Sequence, residues 1–215
     1  MRPLPERIEI RTLRLSDSDP AHWAEALCEE ERARAARYVR PEDRDRFRLG
    51  RGLLRTLLGA ALGLAPAAVP LRANAFGKPV LGLPEGPAFN VAHSGDLVCV
   101  ALGEARALGI DVERHRDDFD PQALGLHVLT EAEQRALARS DDPHRAFLRA
   151  FVLKEALLKG IGTGLLRDPR SVEITHGPDG RRIGPAEGEP DVWEGWIFGD
   201  LEGLPGYHGA WALLP

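Results

Sequence analysis

The chain has 215 residues, 43% hydrophobic and 28% charged, with a formal net charge of −5. That balance is ordinary for a globular protein and too acidic for a surface that binds polyanions all over. It holds no run of 18 apolar residues and no basic-then-apolar leader, so neither a membrane span nor a signal peptide is read, and a cytoplasmic setting is expected.

Residues 7–15 alternate, with Ile8, Ile10, Leu13 and Leu15 against charged neighbours, and read as a strand with a slip in register. A turn follows. Ser18 or Asp19 is placed to cap, and Pro20 to open, a helix predicted over residues 20–39, with Trp23, Leu27 and Tyr38 on one side. Pro41 starts a second helix with Glu42, Asp43 and Asp45 in its first turn, where the helix dipole favours acids. It runs through Phe47, Leu49, Leu53, Leu54, Leu57 and Leu58 to Gly63 as a long core helix. Residues 65–70 form a Pro-containing linker, and short extended pieces follow at 71–73, 79–83 and 88–92, the second preceded by the triplet Gly77-Lys78-Pro79. His93-Ser94-Gly95-Asp96 has turn chemistry and leads into a strand over 97–102. After another turn comes a strand over 108–113, then a charged loop from His115 to Asp120.

Thr130 with Glu133 three residues on is a capping-box signature opening a short helix to Ala138. The next helix is the best punctuated in the chain. Asp142 caps it, Pro143 suits its first position, Phe147, Phe151 and Leu158 form its apolar stripe, and Gly160, Gly162 and Gly164 supply the exit. A strand over 171–175, a Gly/Pro-rich turn region over 176–190 and strands near 192–198 and 207–214 complete the chain. Cys28 and Cys99 sit in apolar periodic segments and read as buried reduced thiols; there is no zinc-type spacing. Strand groups and helices alternate twice, so the class is α+β or α/β.

Chemistry gathers in two places. In Leu108-Gly109-Ile110-Asp111-Val112-Glu113, Asp111 and Glu113 are two apart on a strand and share one face. Neighbouring carboxylates repel unless a cation sits between them, and a hard divalent ion with oxygen ligands is the natural partner. The plain alternative is a solvent-facing strand with ordinary charges. On the capped helix, Glu155 and Lys159 are four apart and share a face, as either a solvated ion pair or part of a site. Lys78, Lys154 and Lys159 are the only lysines in a chain that otherwise uses arginine. With Glu155 as third carboxylate, the set outlines a Mg²⁺-assisted phosphoryl-transfer site. Lys154 lies about 100° round the helix from Glu155 and either touches phosphate or pairs with a surface acid.

GIDVE at 109–113 paired with FVLKEALLKG at 151–160 resembles the signature of the 4′-phosphopantetheinyl transferase superfamily, in its long, single-chain, surfactin-synthetase-activating type. Further matches are Gly77-Lys78-Pro79, the segment Phe89-Asn90-Val91-Ala92-His93-Ser94-Gly95, and Glu42-Asp43 followed by Arg46. The resemblance implies two similar subdomains in a pseudo-twofold α/β fold, residues 1–105 and 106–215, with the site in the cleft between them. It implies transfer of the phosphopantetheine arm of coenzyme A to a serine of an apo acyl or peptidyl carrier protein, releasing 3′,5′-ADP. Family metal ligands fall on Asp111, Glu113 and Glu155, and coenzyme A phosphate contacts on Arg34, Arg46, Lys78, His93 and Lys159. The catalytic pair is then Glu155, as general base, and Lys159, beside the leaving phosphate. Such a chain completes its site as a monomer, without nucleic acid or membrane. Two positions depart from the family pattern: Ala92 stands where Ser or Thr is usual, and Val152 where a small polar residue is usual. Two other readings fit the same residues: a different Mg²⁺-dependent phosphoryl-transfer enzyme, and a catalytically silent carrier-protein binder.

Overall fold

The computed structural model describes residues 8–177 and 180–215. Strand β1 (Ile8–Arg14) carries the first alternating segment; Arg7 lies outside the described residues, and Leu15 opens a 3-10 turn. The helix predicted over residues 20–39 is two helices, α1 (Pro20–Ala24) and α2 (Glu29–Ala36). Each has its own start: the Asp19 carboxylate accepts from the amide N of Ala21, and Glu31 reaches back to the amide N of Cys28. Glu31 also pairs with Arg51 and Arg55 of the next helix, which pins α2 at its own angle. Helix α3 (Pro41–Leu62) is the long core helix, closed by Gly63 at φ 67°, with Leu49, Leu53, Leu54 and Leu58 buried. Full burial of each such leucine is worth about 1.5–3 kcal/mol.

Strands β2 (Leu71–Ala73) and β3 (Pro79–Leu81) form a hairpin. Strands β4 (Ala88–Ser94) and β5 (Leu97–Gly103) form another through Gly95 and Asp96, with Gly95 at φ 54°. β5 also pairs with β1, giving an antiparallel sheet of order β1-β5-β4. Leu53, Leu54 and Leu58 of α3 pack on Phe89, Val100 and Leu102 of that sheet. The second half begins with β6 (Ala107–Arg114). Helix α4 (Pro121–Val128), not among the expected elements, starts on Asp120, whose carboxylate accepts from the amides of Gln122 and Ala123. Helix α5 (Glu131–Leu137) carries the expected Thr130/Glu133 capping box, and α6 (Pro143–Ile161) is capped by Asp142 and closed by Gly162 at φ 97°. Strands β7 (Val172–Gly177) and β8 (Gly180–Pro185) pair where only turns were expected after residue 176. β9 is short (Ile197–Asp200), because Trp193 and Trp196 lie in the turn ahead of it with both indoles buried. β10 (Tyr207–Leu214) pairs with β6 and β9 in a sheet of order β6-β10-β9.

Each half is thus an antiparallel three-stranded sheet with a long helix on one face, a mixed α and β fold of two subdomains. Strands β4 and β6 run side by side at the junction, tied by side chains: Asn90 Oδ1 accepts from the amide N of Ile110 at 3.0 Å, and Ser94 Oγ from that of Arg114 at 3.1 Å. One cluster joins the sheets, with Ile8, Ala92, Cys99 and Ala101 packed with Ile110, Val112 and Trp211. Val152, with Leu153 and Leu157, packs α6 on Ala210 and Ala212. Its apolar side chain therefore belongs to the core. Cys99 is buried and Cys28 partly buried, both as free thiols. No helix among the described residues is long and apolar enough to cross a membrane.

Candidate functional site

Gly109 decides how close α6 can lie to β6. A Cβ there would run into the carbonyl oxygen of Ala156 and stand 2.5 Å from the amide N of Gly160. With Gly109 the helix rests directly on the strand, its Glu155/Lys159 face against the Asp111/Glu113 face of β6. Ile110 and Val112 point to the opposite face, into the core shared by the two sheets.

Asp111 and Glu155 are 4% and 6% exposed. The Lys159 ammonium lies 2.5 Å from Asp111 Oδ1, while Asp111 Oδ2 is buried without a hydrogen-bond partner. Glu113 accepts from Ser94 Oγ at 2.7 Å. The electrostatics follow from this crowding. Burial pushes the Asp111 carboxyl up to about 7, with Glu155 and Glu113 adding to the rise and Lys159 opposing it. Burial, aided by Glu113 and opposed by Lys159, raises Glu155 as well. For Lys159, burial favours the neutral amine, but Asp111, Glu155 and Glu113 outweigh it and hold the ammonium above its usual range. Three acids therefore share one ammonium.

Among the described residues no three such groups already converge as a closed metal cage. The donors nevertheless suit a hard divalent cation: all are carboxylate oxygens, one of them buried and unpartnered, and burial together with like-charged neighbours raises the proton affinity of Asp111 and Glu155, which a bound cation would relieve.

The first half lines the other side of the cleft. His93, on β4, keeps part of its side chain open to solvent there, while crowding of the ring by surrounding protein and the nearby Lys159 and Arg46 charges lower its pKa. Arg46 pairs with Asp43 at 2.7 Å and also reaches the carbonyl of Gly95 at 3.5 Å. Arg34 is exposed on α2, its guanidinium 5.1 Å from the centre of the Phe47 ring. Lys78 is differently engaged. Its ammonium donates to the carbonyls of Lys159 at 2.5 Å, and of Leu108 and Gly160 at 3.2 Å each.

Lys154 resolves the choice left by the sequence. It is fully buried, 2.6 Å from Glu133 Oε2, and donates to the carbonyls of Pro169 and Val172. Its acid is a core residue rather than a surface one, because Lys154, about 100° round the helix from Glu155, turns away from Asp111 and faces Glu133 of α5 and the start of β7. Glu133 in turn accepts from the amides of Thr130 and Ile174, so its capping motif also anchors α6 and β7. Ser94 and Asn90, which tie β4 to β6, are not among the expected site residues. Asn90 and Ser94, four apart and so on one face of a strand otherwise carrying Ala, Phe, Val and His93, were the available signal.

Comparison with known proteins agrees with this architecture. The family model for the 4′-phosphopantetheinyl transferase superfamily matches residues 107–203, and that for the 4′-phosphopantetheinyl transferase N-terminal region matches residues 15–105. The 4′-phosphopantetheinyl transferase HetI of Nostoc sp. is 37% identical over 149 residues, covering 67% of this chain and 63% of the relative. A phosphopantetheinyl transferase of Thraustochytrium sp. is 31% identical over 185 residues, covering 75% and 63%. The 4′-phosphopantetheinyl transferase Sfp of Bacillus subtilis is 26% identical over 168 residues, covering 78% and 74%. The chain thus spans 63% of the length of each of the first two relatives. Two family models in tandem, over both halves and the residues that meet between them, place the chain in the 4′-phosphopantetheinyl transferase superfamily.

Proposed function

We propose that the chain is a holo-carrier-protein synthase of the long single-chain type. It moves the 4′-phosphopantetheine arm of coenzyme A onto a serine of an apo acyl or peptidyl carrier protein and releases 3′,5′-ADP. The observation that carries this reading is the meeting of buried Asp111 with Glu155 and Lys159, in a cleft whose other wall presents His93 and Arg46.

Asp111, Glu113 and Glu155 would hold Mg²⁺, which when bound supplies charge neutralisation at the pyrophosphate. Arg46, His93 and Lys159 bind and orient the coenzyme A phosphates, and Arg34 adds charge at the rim. The serine oxygen forms a bond to the phosphorus that carries pantetheine, and the bond from that phosphorus to the bridging oxygen breaks. Glu155, its proton affinity raised by burial, takes the serine proton directly or through one water. Lys159, held as an ammonium by three acids, faces the oxygen that leaves with 3′,5′-ADP and stabilises its charge.

The test is to incubate the chain with coenzyme A, Mg²⁺ and several apo carrier proteins and weigh the carriers. The expected result is a gain of one phosphopantetheine on at least one carrier. No gain on any of them, together with turnover of a phosphoester in the absence of carrier, would identify a different phosphoryl-transfer enzyme.

A further inference from the structure

An α-helix leaves its last carbonyls without partners of its own, and the end of α6 lies beside the cleft rather than in open solvent. Within the chain segment itself only Leu158 is served, its carbonyl accepting from the amides of Gly162 at 3.0 Å and Thr163 at 3.2 Å. The carbonyls of Lys159 and Gly160 are taken by Lys78, and that of Gly162 by Asn74 Nδ2 at 2.9 Å. Both residues come from the loop between β2 and β3, in the other half of the molecule.

That loop is built to present them. Asn74 Oδ1 accepts from the amides of Phe76 and Lys78, both at 2.9 Å, and the Asn74 amide donates to the carbonyl of Lys78 at 2.8 Å. Gly77, at φ 85°, makes the tight return possible and donates to the carbonyl of Asn74. Gly162, at φ 97°, does the same for the helix end, and a Cβ on it would crowd Asn74 Nδ2 at 3.1 Å. A lysine ammonium has three protons to donate, and here three carbonyls accept them. A cation at a helix C-terminus also meets the negative end of the dipole.

We propose that Asn74 and Lys78 are positioning residues: the β2–β3 loop of the first half caps the end of α6 from across the cleft and so sets where Lys159 stands. This rests on the role proposed above for Lys159. Lys78 acts through the helix end and makes no phosphate contact, the role that resemblance alone assigned to it. Burial beside Lys159, which brings the Lys78 ammonium down to about 8, agrees with a group withdrawn from water.

The full-length variants Lys78→Met, which keeps the stem and removes the donors, and Asn74→Ala decide the matter. Hydrogen exchange of the amides of residues 161–163, calorimetric affinity for coenzyme A and for 3′-dephospho-coenzyme A, and carrier loading are measured for each. In both variants these amides are expected to exchange at least about tenfold faster. In Lys78→Met, kcat falls about tenfold or more, as misplacement of a catalytic group by a fraction of an ångström costs, while the preference for coenzyme A over its dephospho form stays within about twofold of wild type. Wild-type exchange rates in Lys78→Met, or a preference reduced about tenfold, would overturn the proposal. If Lys78→Met does not fold, Asn74→Ala carries the exchange comparison, and unchanged exchange there is equally fatal. Should the wild-type chain load no carrier, the functional reading fails, while the exchange and binding measurements still decide the role of Lys78.

Discussion

Asp111 is the residue on which the electrostatics of the cleft turn, since its carboxyl is buried and one of its oxygens has no partner. With its pKa pushed up to about 7, a proton competes with any metal for that oxygen below neutrality. Lowering the pH therefore opposes metal binding. Mg²⁺ affinity, measured calorimetrically at pH 6, 7 and 8, is expected to rise by up to about tenfold per unit below pH 7 and to level off above it. A flat profile from pH 6 to 8 would remove Asp111 from the metal site. Glu155 tests the chemistry instead. Glu155→Gln keeps the shape of the side chain but can neither take a proton nor carry a charge to a metal. Carrier loading is expected to drop by about 10²–10⁴-fold with the melting temperature within a few degrees of wild type. Loading at wild-type rates would deprive Glu155 of its role as base.

Helices and strands were legible wherever their own residues announced both ends. Pro41 and Gly63 bound α3, Asp142 and Gly162 bound α6, and Gly95 marks the turn between β4 and β5. They were less legible where tertiary contacts intervened. The break between α1 and α2 depends on Glu31, whose partners Arg51 and Arg55 lie a helix away. The buried tryptophans 193 and 196 imitate a strand because they are buried from a turn, in a core cluster shared with α6, β7 and β10, and not by pairing in a sheet. Lys154 is the sharpest case, since its acid comes from α5, 21 positions back in the sequence. Removing one partner of such a pair leaves a buried charge alone. Lys154→Ala is expected to lose about 3–5 kcal/mol in urea denaturation. The double variant Lys154→Met with Glu133→Gln should lose clearly less than the sum of its two single changes, because neither then strands a charge. Additive losses would show that the pair is not coupled.

The whole molecule owes its site to the seam between its halves, and this was the part least visible in sequence. Asp111, Glu113, Glu155 and Lys159 were legible as types at spacings. What holds them in register with the first half was not, because a serine or an asparagine on a strand says nothing of the strand beside it. Asn90 and Ser94 both bridge β4 to β6, yet only Ser94 also donates to a site carboxylate. The two therefore separate cohesion from chemistry. Asn90→Ala leaves the buried Ile110 amide unpaired and should cost about 1–3 kcal/mol in denaturation, with Mn²⁺ affinity close to wild type. Ser94→Ala frees Glu113 to turn, and a carboxylate that has lost its outer hydrogen bond holds a metal about 10-fold less tightly. Its Mn²⁺ affinity, read calorimetrically or by electron paramagnetic resonance, should fall by that factor, at a stability cost of about 1–3 kcal/mol for the two hydrogen bonds lost, to Glu113 and from the Arg114 amide. If the two variants weaken metal binding equally, the seam acts as one structural unit, and Ser94 has no separate hold on Glu113.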